Sequence, residues 1–262
     1  MVERNKKVKL KKEIGLLGVY AIATGATLSA GFFLLPGLAA VEAGPAIVLA
    51  YIVAAIPLIP ATFSIIELAT AMPRAGGVYY FLDRSLGPWM GTMGGIGTWL
   101  ALVLKVSFAL VGMGAYIALY VPELPIVPVA VGIAIALGAL NLLGADKTGG
   151  FQVALVVGLL VILTFFVVGG VPQIQMSRLT AMFDVEAETI LSTAGLVYIS
   201  YVGVTKVASL SEEVKDPERN LPLGIILSLI TAVLIYGLGT AVMVGVLPLG
   251  QLVGDLTPAA SA

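Results

Sequence analysis

Long uncharged apolar runs constrain the fold of this chain more than any other feature of its sequence. Residues 126–143, 153–171 and 221–247 contain no Asp, Glu, Lys or Arg. A helix of about 18 to 20 residues crosses the roughly 30 Å hydrocarbon core of a bilayer. The runs are continuous and do not alternate every second residue, so they favour membrane-spanning helices over a β-barrel. The sequence therefore predicts an all-α integral membrane protein whose first partner is the lipid bilayer.

The composition also excludes several kinds of partner. Only 11% of the residues are charged, whereas soluble domains have about 25%. The formal net charge is -1, and no basic face lies beyond the first dozen residues, so we expect no nucleic-acid partner. The chain has no Cys and no His, which removes the usual zinc and haem ligands. We expect no metal site and no cofactor.

Hydrophobic windows predict about seven spans. They lie near residues 14–39, 44–70, 91–119, 126–144, 150–171, 188–210 and 221–247. The basic segment 1–13 has the charge of a signal peptide, but no small-residue cleavage site ends a short apolar core. We therefore interpret it as a cytoplasmic tail before a retained first span.

The cations predict the orientation of these spans. With the N-terminus inside, most of the 14 Lys and Arg residues fall in inner segments, and Arg178 alone falls in an outer one. Lys105 and Lys206 fall within spans. The positive-inside rule then places the N-terminus in the cytoplasm. We expect a multi-pass protein of the plasma membrane.

Two predicted spans contain small and polar residues that weaken a helix. The first contains Gly-Ala-Thr-Leu-Ser-Ala-Gly at 25–31, and the sixth contains Gly195 and Gly203 around a polar stretch. Broken spans at corresponding positions of an inverted repeat are typical of a transport site at the bilayer midplane. We therefore predict that helices 1 and 6 are broken at mid-membrane. The alternative is that the glycines only allow close helix packing.

Two facing breaks predict a site for an amino acid or a related amine. Freed N–H groups of Ser29, Ala30 and Gly31 suit a carboxylate, and freed carbonyls near Thr27 and on the sixth span suit an ammonium. Two tyrosines of the sixth span are expected to shape the side-chain pocket, although aromatic packing would also explain them. The predicted substrate-binding residues are Thr27, Ser29, Ala30, Gly31, Tyr198, Ile199, Ser200, Tyr201, Val202 and Gly203.

Lys105 is the most informative single residue. It lies well inside the third predicted span, where a cation costs about 2.5 to 3.5 kcal/mol on insertion scales. Small or polar residues recur around it at steps of three or four, which predicts that this helix face looks into the bundle. One hypothesis is that Lys105 replaces a coupling cation, carries a titrating proton or neutralises a substrate carboxylate. The alternatives are a structural ion pair, with Glu67 for example, and snorkelling.

Charged residues near the inner ends of the spans predict an inner gate. Lys206 lies about one turn from the end of the sixth span, near Glu212 and Glu213, so a salt bridge is the simplest expectation. Glu67 borders the same side. The predicted inner-gate residues are Glu67, Lys206 and Glu213.

Three motifs then resemble one family. The first-span segment 25–37, the segment 67–80 followed by Leu86-Gly87-Pro88, and the segment 212–225 are similar, in matching order, to signatures of the amino acid/polyamine/organocation transporter superfamily. The resemblance implies an inverted-repeat (5+5) leucine-transporter fold, amino acid substrates, and protons or sodium as coupling ions. Ser29 stands where the family has glycine. The fifth-span lysine of some proton-coupled relatives aligns with Gly158, which puts that coupling device in doubt.

The resemblance also implies a domain organisation. Helices 1–5 of the first repeat would occupy 14–171, an extracellular loop 172–187, helices 6 and 7 of the second repeat 188–247, and an outer tail without closing structure 248–262. Because ten spans are implied, we expect a fragment that is inactive in uptake when alone. Other readings are a membrane enzyme or a channel, for which no catalytic cluster and no charged ring is visible, and a non-transporting sensor or anchor module.

Overall fold

The computed structural model describes residues 12–142 and 148–262. These residues are helical, apart from turns, connecting segments and one isolated parallel bridge between Ile14 and Val214. The predicted basic tail therefore lies almost entirely outside the described residues. The α-helices are α1 Leu16–Thr27, α2 Ala30–Phe33, α3 Leu35–Ala43, α4 Ile47–Ala71, α5 Gly77–Leu86, α6 Pro88–Ala118, α7 Ile126–Leu142, α8 Thr148–Gly170, α9 Met176–Thr180, α10 Ala187–Val197, α11 Pro217–Val246, α12 Leu249–Leu252 and α13 Pro258–Ser261.

The predicted all-α class is confirmed in these ranges. Five helical stretches of the described residues are long and apolar enough to cross a membrane: Leu35–Ala71, Pro88–Ala118, Gln152–Gln173, Ala187–Glu213 and Pro217–Val246. The predicted first and fourth spans correspond to shorter apolar helices, Leu16–Thr27 and Ile126–Ala139. The first differs because its second part, α3, continues through a 3-10 turn at Gly44–Ala46 into α4.

The first span is interrupted where its sequence is richest in small residues. α1 ends at Thr27, Leu28 has a ψ of 69°, Ser29 has a φ of -121° and a ψ of -136°, and α2 begins at Ala30. A second irregularity at Leu34 separates α2 from α3, which has Pro36 in its first turn. Proline has no N–H and its ring clashes with the preceding turn, so a new helix starts there more easily than an old one continues.

The sixth span changes helix type instead of breaking. α10 ends at Val197, and a 16-residue 3-10 helix, Tyr198–Glu213, follows directly. Every residue across the predicted break stays helical, so the expected unwinding is absent there. Runs of 3-10 helix longer than about four residues are uncommon and often mark functional hinges. The irregularity of this span is therefore a change in hydrogen-bonding pattern and not the predicted break.

The first and sixth spans cross in opposite directions. α1 packs against the 3-10 helix, whereas α3 packs against α10. The early half of one span thus contacts the late half of the other, which requires an antiparallel crossing. α4 packs against α10, the 3-10 helix and α11, and α11 also packs against α1 and α8. The interrupted segment Leu28–Ser29 therefore lies at the centre of the packed helices.

The final residues fold back on the first span. The sequence shows no closing structure for them, but they form α12 and α13, and α13 packs against α2. The Gly254 N–H donates to the Gly37 carbonyl at 2.9 Å. The Asp255 carboxylate accepts hydrogen bonds from the N–H and hydroxyl of Thr257, at 2.8 and 3.1 Å. The tail is thus fixed along α2 and α3, the second part of the first span.

Candidate functional site

Two glycines bring the first and sixth spans into backbone contact. A Cβ on Gly31 would lie 2.6 Å from both Cβ and Oγ of Ser200. A Cβ on Gly203 would overlap the backbone of Ala26 and Thr27. Any larger residue at either position would push the spans apart, so glycine is required here for close approach. The structure thus brings Gly31 against Ser200 and Gly203 against Thr27.

Three buried tyrosines surround this contact. The Tyr236 hydroxyl donates to the Thr27 carbonyl at 2.8 Å and lies 3.4 Å from the Ser200 carbonyl. The Tyr51 hydroxyl donates to the Gly31 carbonyl at 2.6 Å, and the Tyr201 hydroxyl donates to the Tyr51 carbonyl at 3.0 Å. The Tyr236 ring lies 5.1 Å from that of Tyr51 and 4.9 Å from that of Tyr201. We call Tyr51, Tyr201 and Tyr236 the tyrosine cluster.

The tyrosine cluster satisfies carbonyls that the interrupted helix leaves free. An unpaired carbonyl in an apolar interior costs several kcal/mol in lipid, so each needs a donor. The carbonyl of Thr27, expected to receive a substrate ammonium, already accepts from Tyr236 and from the Ser29 N–H at 2.8 Å. Tyr201, expected to shape the side-chain pocket, is instead fully buried against α4.

Tyr51 and Tyr236 are functional candidates that the sequence reasoning missed. Both are tyrosines in the middle of apolar helices, and both are fully buried. A hydroxyl at membrane depth needs a partner, which is a signal that they bond to irregular backbone. Their partners depend on tertiary packing and not on local sequence.

Of the three predicted N–H donors, two remain for a ligand. The Ser29 N–H is used in the local turn to Thr27. Ala30 and Gly31 are the first residues of α2, and the first turn of a helix has no intrahelical acceptor. Both residues are buried, so the site is closed in this structure.

Ser200 has a hydroxyl without a hydrogen-bond partner in the described part of the chain. The residue is 1% exposed, and its Oγ lies beside Gly31. Leaving a buried hydroxyl unpaired costs about 1 to 3 kcal/mol. This atom is therefore a donor or acceptor open to a ligand at the contact between the two spans.

Lys105 reaches the same contact from α6. Its Nζ donates to the Ser200 carbonyl at 3.5 Å, and the residue is half-buried. The face of α6 predicted to look into the bundle therefore does so at this position. Glu67, the ion-pair partner considered for Lys105, has an exposed side chain near the end of α4.

The remaining predicted site residues of the sixth span lie further out. Tyr198 is half-buried and lines an apolar groove between α4 and α10, together with Val53 and Pro57. Ile199 is 38% exposed, and Val202 is half-buried. These three side chains lie at the edge of the crossing, whereas Ser200, Tyr201 and Gly203 lie within it.

The start of the first span and the end of the 3-10 helix are joined mainly by backbone groups. Glu213 accepts hydrogen bonds through its carbonyl from the N–H groups of Glu13 and Ile14, at 2.9 and 3.1 Å. The carboxylate that makes a contact here is that of Glu212, which accepts from the Ala75 N–H at 3.1 Å. Lys206, like Glu67, is exposed. Among the described residues, no group of three or more acidic side chains is placed to hold a metal ion.

A membrane-embedded helical bundle with an interrupted first span crossing an antiparallel sixth span is typical of one class of protein, the membrane transport proteins. Comparison with known proteins narrows this class. The amino acid permease family matches residues 14–262. The chain belongs to this family, whose members are transporters and not enzymes.

Individual relatives differ in the substrates that their names state. The chain is 30% identical to a branched-chain amino acid permease of Bacillus subtilis, over 94% of this chain and 57% of the relative. It is 24% identical to a methylthioribose transporter of Bacillus subtilis, over 96% of this chain and 59% of the relative. It is 28% identical to the mitochondrial cationic amino acid transporter 3 of Arabidopsis thaliana, over 97% of this chain and 46% of the relative. The chain thus spans about half the length of these relatives.

Proposed function

We propose that this chain carries the substrate site of a secondary active transporter for amino acids or related amines. The transporter works by alternating access in the plasma membrane, with the N-terminus in the cytoplasm. In this proposal the chain supplies the first repeat and the start of the second repeat of a 5+5 inverted-repeat fold. The site lies where α2 meets the 3-10 helix.

One observation carries this proposal: buried polar groups without hydrogen-bond partners lie close together at the crossing of the two spans. The N–H groups of Ala30 and Gly31 begin α2, and the free Ser200 hydroxyl faces Gly31. N–H groups at a helix start favour a carboxylate. All amino acids have a carboxylate with an ammonium next to it. A site of this kind therefore agrees with membership of the amino acid permease family.

Lys105 has the coupling or charge-compensating role in this proposal. Its ammonium replaces a coupling cation, carries a proton or neutralises the substrate carboxylate, and a proton or sodium ion drives accumulation. The contact between Lys105 and the Ser200 carbonyl supports a role at the site over simple snorkelling, because a snorkelling side chain extends towards the membrane surface. A non-transporting sensor would use the same binding site without the coupling step.

The test is equilibrium binding of radiolabelled L-leucine to the chain reconstituted in lipid nanodiscs. We expect saturable binding that Ser200→Ala weakens about tenfold, because one hydrogen bond to a charged group contributes about 1.5 kcal/mol. Ser228→Ala is the matched control, since Ser228 is another buried serine whose hydroxyl lacks a partner in the described residues. It should leave the dissociation constant unchanged.

Stability separates a ligand role of Ser200 from a structural one. Both Ser200→Ala and Ser228→Ala remove an unpaired hydroxyl, so both variants should be at least as stable as the parent. Equal binding by the parent and Ser200→Ala would contradict the proposed site. The absence of any amino acid binding would contradict the proposed function.

A further inference from the structure

The ammonium of Lys105 is positioned by a carbonyl and not by a carboxylate. Lys105 lies near the middle of the 31-residue α6, and its Nζ donates to the Ser200 carbonyl at 3.5 Å. The same carbonyl lies 3.4 Å from the Tyr236 hydroxyl, which donates to Thr27 at 2.8 Å. Two hydrogen-bonded steps therefore link the ammonium to the interrupted segment of the first span.

The acidic residues on neighbouring elements lie far along the helices. Neither α6, α7 nor α2 contains Asp or Glu. Asp83 of α5 lies against Gly91, which is 14 residues before Lys105 and thus about 21 Å away along α6. Glu212 lies 12 residues beyond Ser200, about 24 Å along the 3-10 helix.

The other charge on the same segment has the same sign as Lys105. Lys206 lies six residues after Ser200, about 12 Å along the 3-10 helix. Lys206 is exposed, and it is as far along this helix from Glu212 as from Ser200, so the charge at the crossing is that of Lys105. The low dielectric of the buried crossing strengthens the interaction of any added charge with Lys105.

We propose that Lys105 determines the charge class of the substrate: the site accepts amino acids with neutral or acidic side chains and excludes those with cationic side chains. This inference rests on the proposed function. A zwitterion with a neutral side chain adds no net charge beside Lys105, and an acidic side chain adds an opposite charge. Arginine or lysine adds a second positive charge at close range, which should weaken binding by about tenfold or more.

The experiment is competition against radiolabelled L-leucine on the chain in nanodiscs, with L-glutamate and L-arginine as competitors. In the parent chain, glutamate should compete and arginine should compete at least about tenfold less well than unlabelled leucine. Lys105→Gln should reduce this discrimination, and Lys105→Glu should reverse it in favour of arginine. Lys215→Gln removes an exposed charge from the loop before α11 and should retain the parent's order.

Each outcome bears on one proposal. Equal competition by arginine and leucine in the parent chain would overturn the charge selection, and that result requires no variant. Leucine binding with an unchanged order in Lys105→Gln would also overturn it. If neither leucine, glutamate nor arginine binds the parent, the proposed function itself fails.

Discussion

Tyr236 connects the two irregular spans through a single hydroxyl. Replacing it with phenylalanine keeps the ring that packs against Tyr51 and Tyr201 but removes the donor to the Thr27 carbonyl. We expect Tyr236→Phe to destabilise the protein by about 0.5 to 1.5 kcal/mol, because the buried Thr27 carbonyl loses one of its two donors. Thermal unfolding in detergent, followed by loss of the monodisperse chromatographic peak, measures this change.

Tyr120→Phe is the control for that measurement. Tyr120 is 88% exposed, so the same removal of a hydroxyl should change the stability by less than about 0.5 kcal/mol, in line with typical effects of surface substitutions. A Tyr236→Phe protein as stable as Tyr120→Phe would show that the carbonyls at the interrupted segment do not depend on this hydroxyl.

At the scale of single residues, the sequence predicts positions better than partners. Gly31, Gly203 and Ser200 stand out because they belong to the two stretches of small and polar residues, and Lys105 because charged residues are rare in apolar spans. All four lie at the crossing. The hydrogen bonds of Tyr51 and Tyr236 were not predictable, because they join residues 20 and 209 positions apart. Local patterns carry no information about such distant pairs.

At the scale of elements, the 3-10 helix depends on contact with α1. Gly203→Ala would place a Cβ on the backbone of Ala26 and Thr27, which cannot rotate away as a side chain could. We expect the two spans to separate, with a loss of about 1 to 3 kcal/mol in stability and weaker leucine binding. The measurements are thermal unfolding and equilibrium binding on the same preparation.

Gly195→Ala provides the matched control in the same span. A Cβ there meets no atom within 4 Å, and alanine is favoured over glycine in a helix by about 1 kcal/mol. This variant should be as stable as the parent or more so. If Gly203→Ala were equally well tolerated, close backbone approach would not be what requires glycine in the sixth span.

The sequence predicts the existence of these elements but not their hydrogen-bonding pattern. Hydrophobic windows average over about 20 residues, so they locate the sixth span without distinguishing bonds between residues i and i+3 from bonds between i and i+4. The interruption at Leu28 and Ser29 was predictable, because glycine, serine and threonine all weaken a helix locally. The sixth span contains similar residues, yet packing against α1, α4 and α11 keeps it helical.

At the scale of the whole molecule, orientation is open to a direct measurement. The chain has no Cys, so single cysteines introduced at exposed positions give no background. We expect Thr180→Cys to react with a membrane-impermeant maleimide in intact cells. Ser85→Cys should react only after the cells are permeabilised. Ser85 follows Arg84, in a segment that the positive-inside rule predicts to be cytoplasmic. The reverse pattern of labelling would contradict the predicted orientation.

The tyrosine cluster affects the affinity of the Thr27 carbonyl for a substrate ammonium. The Thr27 carbonyl already accepts two donors, from Tyr236 and Ser29, and a carbonyl oxygen has only two lone pairs. An incoming ammonium must therefore replace an existing donor, so the free energy gained is only the difference between two hydrogen bonds. At this carbonyl, saturation by the protein's own donors favours modest affinity for an ammonium and its fast release.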